Sequence, residues 1–288
     1  MPKGSHPRFF QRQRVQRAAV SFVLLLAAWR SGLFAQALAP TPTPLATMLD
    51  ELRSGPRENP AREDKLRELF LAAGAKPDDV LMMPVIVNGQ VAGRNVVVTK
   101  RGTTPTALVI GAHVDKVSVG DGVIDNWSGC VLIKNLYQAL RAVPTKHTLI
   151  FAAFALEERG LIGSRQYVEL LQRDKAPTVV AMANFDCVGV GGPFLWANGS
   201  NQRMKELAHR VAAEKKLELT DHLISGVSAD NLSFERVGIP SLTIDGLPID
   251  QLRLIHSERD TFDALVPDRY EAAYKLALEL VLAMDRAF

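Results

Sequence analysis

Apolar positions along the chain show two textures. Short runs rich in β-branched residues occur at 81–87, 95–99, 107–112, 148–155, 179–184 and 241–244. Several are apolar throughout, as strands covered on both faces are. Between them, apolar residues recur at helical spacing over 128–142, 161–173, 202–216 and 267–286. Nearer the start, Leu49, Leu52, Leu66, Leu69, Phe70 and Leu71 predict one or two helices, broken around Gly55-Pro56 and Asn59-Pro60. Strand alternating with helix predicts a three-layer α/β/α sandwich around a mixed, largely parallel central sheet. Residues 45–288 read as a single domain, without internal repeat.

Of the 288 residues, 47% are hydrophobic and 23% charged, the balance of a packed globular chain. The formal charge of +3 is misleading. Lys3, Arg8, Arg12, Arg14, Arg17 and Arg30 all precede residue 38, where no acid occurs. Without them 28 basic residues face 31 acidic ones, a balance of −3, and nucleic acid is not an expected partner.

Those first residues have the layout of a signal peptide: an Arg-rich segment to Arg17, an apolar run over 18–29, and Ala35-Gln36-Ala37. The run is shorter than the roughly 20 residues of a membrane-spanning helix, and an uncleaved anchor would have to continue it past Arg30 to Leu38. No Cys stands there to carry a lipid. Residues 1–37 are therefore read as a cleaved leader and the chain as secreted or periplasmic, with no stable membrane association once the leader is removed. Residues 38–44, with Pro40, Pro42 and Pro44, read as an extended linker. Cys130 and Cys187 leave two readings open in an oxidising compartment, one disulfide or two buried thiols.

Parallel sheets carry their sites where strands end at their carboxyl side. Here His113 and Asp115 follow the strand over 107–112, Glu157 and Glu158 follow that over 148–155, Asp186 follows 179–184 and Asp245 follows 241–244. Asp125 and His256 lie in loops. Carboxylates gathered without Lys or Arg repel one another unless a cation joins them. Imidazole mixed with carboxylate suits Zn²⁺ and its first-row neighbours, whereas Mg²⁺ and Ca²⁺ favour oxygen alone. Two imidazoles and three carboxylates exceed the three protein ligands of one catalytic zinc, and suit two ions bridged by a carboxylate.

The motifs Gly111-Ala112-His113-Val114-Asp115, Asp125-Asn126-Trp127-Ser128-Gly129, Glu157-Glu158-Arg159-Gly160, Asn184-Phe185-Asp186, Gly238-Ile239-Pro240 and His256-Ser257-Glu258-Arg259-Asp260-Thr261 occur in this order. Together they resemble the M28-type zinc aminopeptidases, co-catalytic di-zinc exopeptidases. The resemblance implies His113 and Asp186 as ligands of one zinc, Glu158 and His256 as ligands of the other, and Asp125 as the bridge. It implies Glu157 as general base, Asp115 as the acid that fixes the tautomer of His113, and a cis peptide between Asp125 and Asn126. The substrate would be a peptide with a free amino terminus. Trp127 departs from the small residue many relatives have there, and is expected to narrow the cleft or cover the metals. Asp230 and Arg253 are further candidates for substrate contact. Ser128 and Ser164 are read as helix caps; Cys130 is expected to pack.

Two other functions share the resemblance. A glutaminyl cyclase has the same fold and ligands but an aromatic residue just before its last His, where this chain has Ile255. A non-catalytic relative should lack a ligand or the base, and none is missing.

Overall fold

Alternation along each strand decides which side of the sheet a residue covers. The computed structural model describes residues 38–174 and 177–288; the leader reading of 1–37 lies outside them. In β3 (Thr106–His113), Leu108, Ile110 and Ala112 join one apolar core, and Ala107 and Val109 join a second core on the opposite face. The neighbouring β4 (Thr148–Phe154) divides the same way, with Leu149, Phe151 and Ala153 against Ile150, Ala152 and Phe154. Strands buried on both faces need two covering layers.

The larger layer holds α1 (Leu45–Arg53), α2 (Asn59–Ala72), α3 (Ser128–Leu140), α5 (Gln202–Lys215) and α7 (Pro267–Ala287), whose apolar stripes meet in the first core. The second core is closed by α4 (Ile162–Asp174) and the short α6 (Asn231–Glu235), through Tyr167, Val168 and Phe234. Besides β3 and β4, the sheet contains β1 (Val80–Val87), β2 (Gln90–Lys100), β5 (Thr178–Asp186), β6 (Phe194–Trp196), β7 (Thr220–His222) and β8 (Ser241–Asp245). The order is β1-β2-β4-β3-β5-β8-β6-β7, with a parallel centre β4-β3-β5-β8. β1, β2 and β4 are joined antiparallel on one side and β6 pairs antiparallel with β8 on the other. The expected mixed α/β/α sandwich is what the chain forms.

Three local features differ from the sequence reading. β2 begins at Gln90 rather than near residue 95, because Asn88 and Gly89, both at positive φ (52° and 78°), turn the chain directly back from β1. That Asn-Gly pair is a hairpin signal in its own right. β6 and β7, of three residues each, are too short to show a periodicity. The segment read as a linker is tied to the domain: the Thr41 amide donates to Ala139 O at 3.3 Å, and the Thr43 amide to the Tyr274 hydroxyl at 3.1 Å. Among the described residues no helix is long and apolar enough to cross a membrane.

Candidate metal centre

β3 ends on His113 and β5 on Asp186, while the turn after β4 carries Glu157 and Glu158. Asp125 enters from the turn Val123–Trp127 ahead of α3, and His256 from the loop beyond β8. These side chains converge. His113 Nε2 lies 2.9 Å from Asp125 Oδ1 and 3.3 Å from Asp186 Oδ1. His256 Nε2 lies 3.1 Å from Asp125 Oδ2 and 2.9 Å from Glu158 Oε2. Each oxygen of Asp125 therefore faces a different imidazole, and each imidazole has one further carboxylate beside it. The other Glu158 oxygen, Oε1, is buried without a hydrogen-bond partner.

The sequence reading gave the Asp115 carboxylate the task of fixing His113. The Asp115 main chain does more of it: its carbonyl is 3.1 Å from His113 Nδ1, against 3.6 Å for the nearest carboxylate oxygen. A carbonyl only accepts, so Nδ1 carries a proton, and in the neutral ring Nε2 is the nitrogen with a lone pair facing Asp125 and Asp186. The Asp115 carboxylate instead accepts the amides of Glu157 (3.0 Å) and Glu158 (3.3 Å), fixing the turn on which both acids stand.

The Asp125 turn is held from three sides. Asp260 accepts the amides of Ile124 (2.7 Å) and Asp125 (3.2 Å). Asn126 donates to Phe185 O at 2.9 Å and accepts the Gly129 amide at 2.9 Å. A Cβ on Gly129 would lie 2.4 Å from Phe185 O, so only glycine lets α3 start against the end of β5. The Asp125–Asn126 peptide is cis, as the resemblance implies. Arg62, fully buried, donates to Val114 O at 2.6 Å and Gly122 O at 3.1 Å. Ser128 does not cap: its hydroxyl donates to Ile124 O at 2.7 Å and accepts the Val188 amide at 3.1 Å.

Packing this many carboxylates together changes their proton affinity. Burial, reinforced by Asp230, Asp186 and Asp125 against the opposing charge of His113, pushes the Glu157 carboxyl up to about 10. Burial and Asp125 push Glu158 up to about 7. The hydrogen bond that its ring donates to Asp125 and the charge of Glu158 raise His256 to about 9 despite partial burial. His113 is also raised, its carboxylate neighbours outweighing burial. Asp125 moves the other way: burial opposes its charge, but its bonds to both imidazoles prevail.

A stability prediction follows for the metal-free protein. A histidine raised on folding contributes stability that is full below its unfolded value near 6.5 and lost as pH rises through the folded one. Carboxyls raised on folding act in the same direction, losing stability from about pH 4 upward. Within the centre only Asp125 opposes, at acid pH; outside it His147, lowered by burial, opposes near its ordinary value. Chelator-treated protein should therefore melt at progressively lower temperature between pH 6 and 9, and saturating zinc should flatten or reverse this slope. Calorimetric melts at four or five pH values read the sign; a metal-free melting temperature rising over that range would contradict it.

The cleft encloses ≈ 400 Å³. Its walls include Trp196, Ile224, Leu247, Leu252 and Ile255, with the imidazoles and carboxylates at one side.

A family model for Peptidase family M28 matches residues 95–281, which contain His113, Asp115, Asp125, Glu157, Glu158, Asp186 and His256. The chain belongs to peptidase family M28.

Among M28 relatives, aminopeptidase YwaD of Bacillus subtilis is 31% identical over 146 residues, covering 48% of this chain and 31% of YwaD. This chain thus spans about a third of that relative's length. A zinc aminopeptidase structure from Bacillus subtilis superposes with TM-score 0.58 at 24% identity, over 66% of this chain and 49% of the other. An Acidobacteriales bacterium glutaminyl cyclase gives TM-score 0.74 at 18% identity, over 88% and 98%. Both show the fold.

Within this M28 fold the weaker sequence candidates separate. Trp127 does not narrow the cleft: it is fully buried under α1, its indole donating to Glu51 O at 3.1 Å and filling the space beside Gly55, where a Cβ would come within 2.7 Å. Arg253 is exposed, does not line the cleft, and its carbonyl accepts from Arg259 at 2.6 Å. Asp230 is buried with neither carboxylate oxygen bonded, and burial pushes it up to about 7. Both cysteines are free and buried; burial pushes the Cys130 thiol up to about 12. Sequence reasoning missed Cys187 as a cleft residue, although its sulfur lies within 4.8 Å of ligand oxygens of Asp125 and Asp186. It also gave no role to Asp260, which its position four residues after His256 places in the same motif.

Proposed function

We propose that this M28 chain is an aminopeptidase whose cleft takes two zinc ions, one among His113, Asp186 and Asp125, the other among Glu158, His256 and Asp125. The divided carboxylate of Asp125 carries the reading: its two oxygens each face an imidazole accompanied by one more carboxylate. That donor set suits zinc, and the partnerless Glu158 Oε1 is a buried acceptor in want of a cation. Bound there, a zinc pair would acidify a shared water and polarise a peptide carbonyl.

The chain's own residues do the rest. Glu157 stands on the same turn as Glu158, its amide held by Asp115, with its carboxylate lining the cleft. Ionised beside the bound cations, that carboxylate would take the proton of the attacking water and return it to the departing amine. Asp260 and Asn126 keep Asp125 from shifting as charge redistributes, and the apolar wall excludes water from the bound residue. The leader reading adds export, with Leu38 as the first residue of the mature chain.

The test takes that exported chain, measures its zinc by elemental analysis, and follows release of free amino acid from unmodified and amino-blocked peptides. About two zinc ions, cleavage of unblocked peptides alone, loss of activity with chelator and recovery with zinc are expected. Equal cleavage of blocked peptides, or activity surviving chelation, would refute the reading. A second reading is kept because the Acidobacteriales bacterium glutaminyl cyclase has this fold over nearly its whole length. Ammonia released from an amino-terminal Gln, without free amino acid, would establish it instead.

A further inference from the structure

One carboxylate in the cleft belongs neither to the metal set nor to the base. Asp245 ends β8 and is the register partner of Asp186 on β5. It is 8% exposed and lines the cleft beside Trp196, Ile224 and Leu247. Its Oδ1 accepts the Leu247 amide at 3.2 Å, whereas Oδ2 has no hydrogen-bond partner among the described residues. His222 Nδ1 lies 3.3 Å from Oδ1, its ring stacked on Phe194 with centroids 3.7 Å apart. Among the described residues, no Lys or Arg lines the cleft.

A carboxylate held in apolar surroundings with one imidazole at the edge of reach is costly, and burial raises the proton affinity of Asp245 against the opposing effect of His222. A ligand with an apolar stem and a cationic end would satisfy the walls and the acid together. Position favours a substrate side chain for that ligand. Adjacent strands lie about 4.8 Å apart, so Asp245 stands one strand outward from Asp186, on the side away from His113. With the scissile carbonyl at the metal ligands, one of the groups flanking it extends past Asp186 towards Asp245, and the apolar wall there suits the side chain of the first residue.

We propose that Asp245 selects peptides whose amino-terminal residue is Lys or Arg, binding the side-chain cation while Trp196, Ile224 and Leu247 pack on its methylene stem. This rests on the aminopeptidase reading, which puts the first residue of a peptide in this cleft. The chemistry it recognises is an ammonium or guanidinium group, and the substrate's own α-ammonium is the competing source.

Lysine and norleucine share a straight stem and differ in the terminal cation, so they isolate the contact. The zinc-loaded chain is assayed on lysyl, arginyl, norleucyl and leucyl p-nitroanilides, and calorimetry measures binding of free lysine and free norleucine. Lysyl kcat/KM is expected to exceed norleucyl by about 10- to 100-fold, the range for a hydrogen bond to a buried charge. Asp245→Asn should bring that ratio to about one. A norleucyl substrate equal to or better than the lysyl one in the wild type overturns the proposal, whether or not the variant folds. So does a ratio unchanged in Asp245→Asn, as an α-ammonium anchor or a purely structural acid would give. If no amino acid is released from any substrate, the aminopeptidase reading fails separately. Lysine binding at least ten times tighter than norleucine then still supports the Asp245 site, and equal binding overturns it.

Discussion

Glu157→Gln should lower kcat by about 10³-fold while leaving the zinc content near two per chain. A positioned general base contributes roughly 10² to 10⁴ in rate, and glutamine keeps the size and reach of glutamate without its ability to take a proton. The substitution leaves the local backbone alone, because Asp115 holds residue 157 through its amide and not its side chain. It also removes a carboxyl that burial has pushed up to about 10, so the fold should be at least as stable as before. KM should change little, since Glu157 is asked to act on the water rather than on the substrate's first residue. The measurement is steady-state kinetics on one unblocked peptide with elemental analysis of the same sample. A variant keeping more than a tenth of wild-type kcat would remove Glu157 from the mechanism. A variant that lost its zinc would reassign Glu157 from base to ligand.

The Glu157–Glu158 pair shows what a sequence can display and what it hides. That two adjacent acids follow an apolar strand is visible in the chain, and the strand-end rule for parallel sheets places them in the crevice with His113 and Asp186. How neighbours are steered apart is not visible. Leu156, at φ 58°, breaks the alternation just before them, and the Asp115 carboxylate from the end of β3 receives both amides. Such a contact joins residues more than 40 positions apart, so no local pattern signals it. The same limit applies to the way Asp115 meets His113. Its spacing of two from His113 suggests a carboxylate-to-imidazole bond, yet at that separation the main-chain carbonyl reaches Nδ1 first.

Trp127 illustrates a different limit. Adjacency to Asp125 in the chain says nothing about direction, because the non-helical backbone at Asp125 and Asn126 lets consecutive side chains diverge. The indole turns under α1, where it replaces missing volume at Gly55 and lies beside the buried Arg62 guanidinium, 5.2 Å from its ring centre. The cleft wall was the least legible part. Trp196 comes from a strand of three residues, and Ile224 follows another of the same length, both below the length at which alternation can be read. By contrast, the sheet centre was legible because β3 and β4, buried on both faces, leave unbroken apolar runs, and the runs of the central strands are followed by acidic or imidazole residues that the fold gathers at one edge.

Asp125→Asn is the second variant with a large expected effect, and it separates a bridged pair of ions from two independent ones. In the wild type one carboxylate serves both sides, Oδ1 towards His113 and Oδ2 towards His256. Asparagine has nearly the same shape, keeps an oxygen for one side, and presents an amide that cannot ligate on the other. It also removes the negative charge that both ions share. Asp260 and Asn126 hold the backbone of this turn independently of the Asp125 side chain, so the variant should fold. Zinc content is expected to fall below one per chain, and activity on unblocked peptides by about 10⁴-fold or more, as when one member of a catalytic unit is removed. Glu158→Gln and Asp186→Asn provide the comparison, each taking a ligand from one side only and expected to leave close to one zinc. If Asp125→Asn retained two zinc ions at wild-type affinity, the bridge would be wrong and the centre would have to be rebuilt from the remaining donors. Cys187 would then be the first to examine, since its sulfur already lies within 4.8 Å of the Asp186 carboxylate. If it lost no more zinc than the one-sided variants, two separate sites would explain the data better than a shared one. Loss from both sides at once is the result that only a shared carboxylate gives.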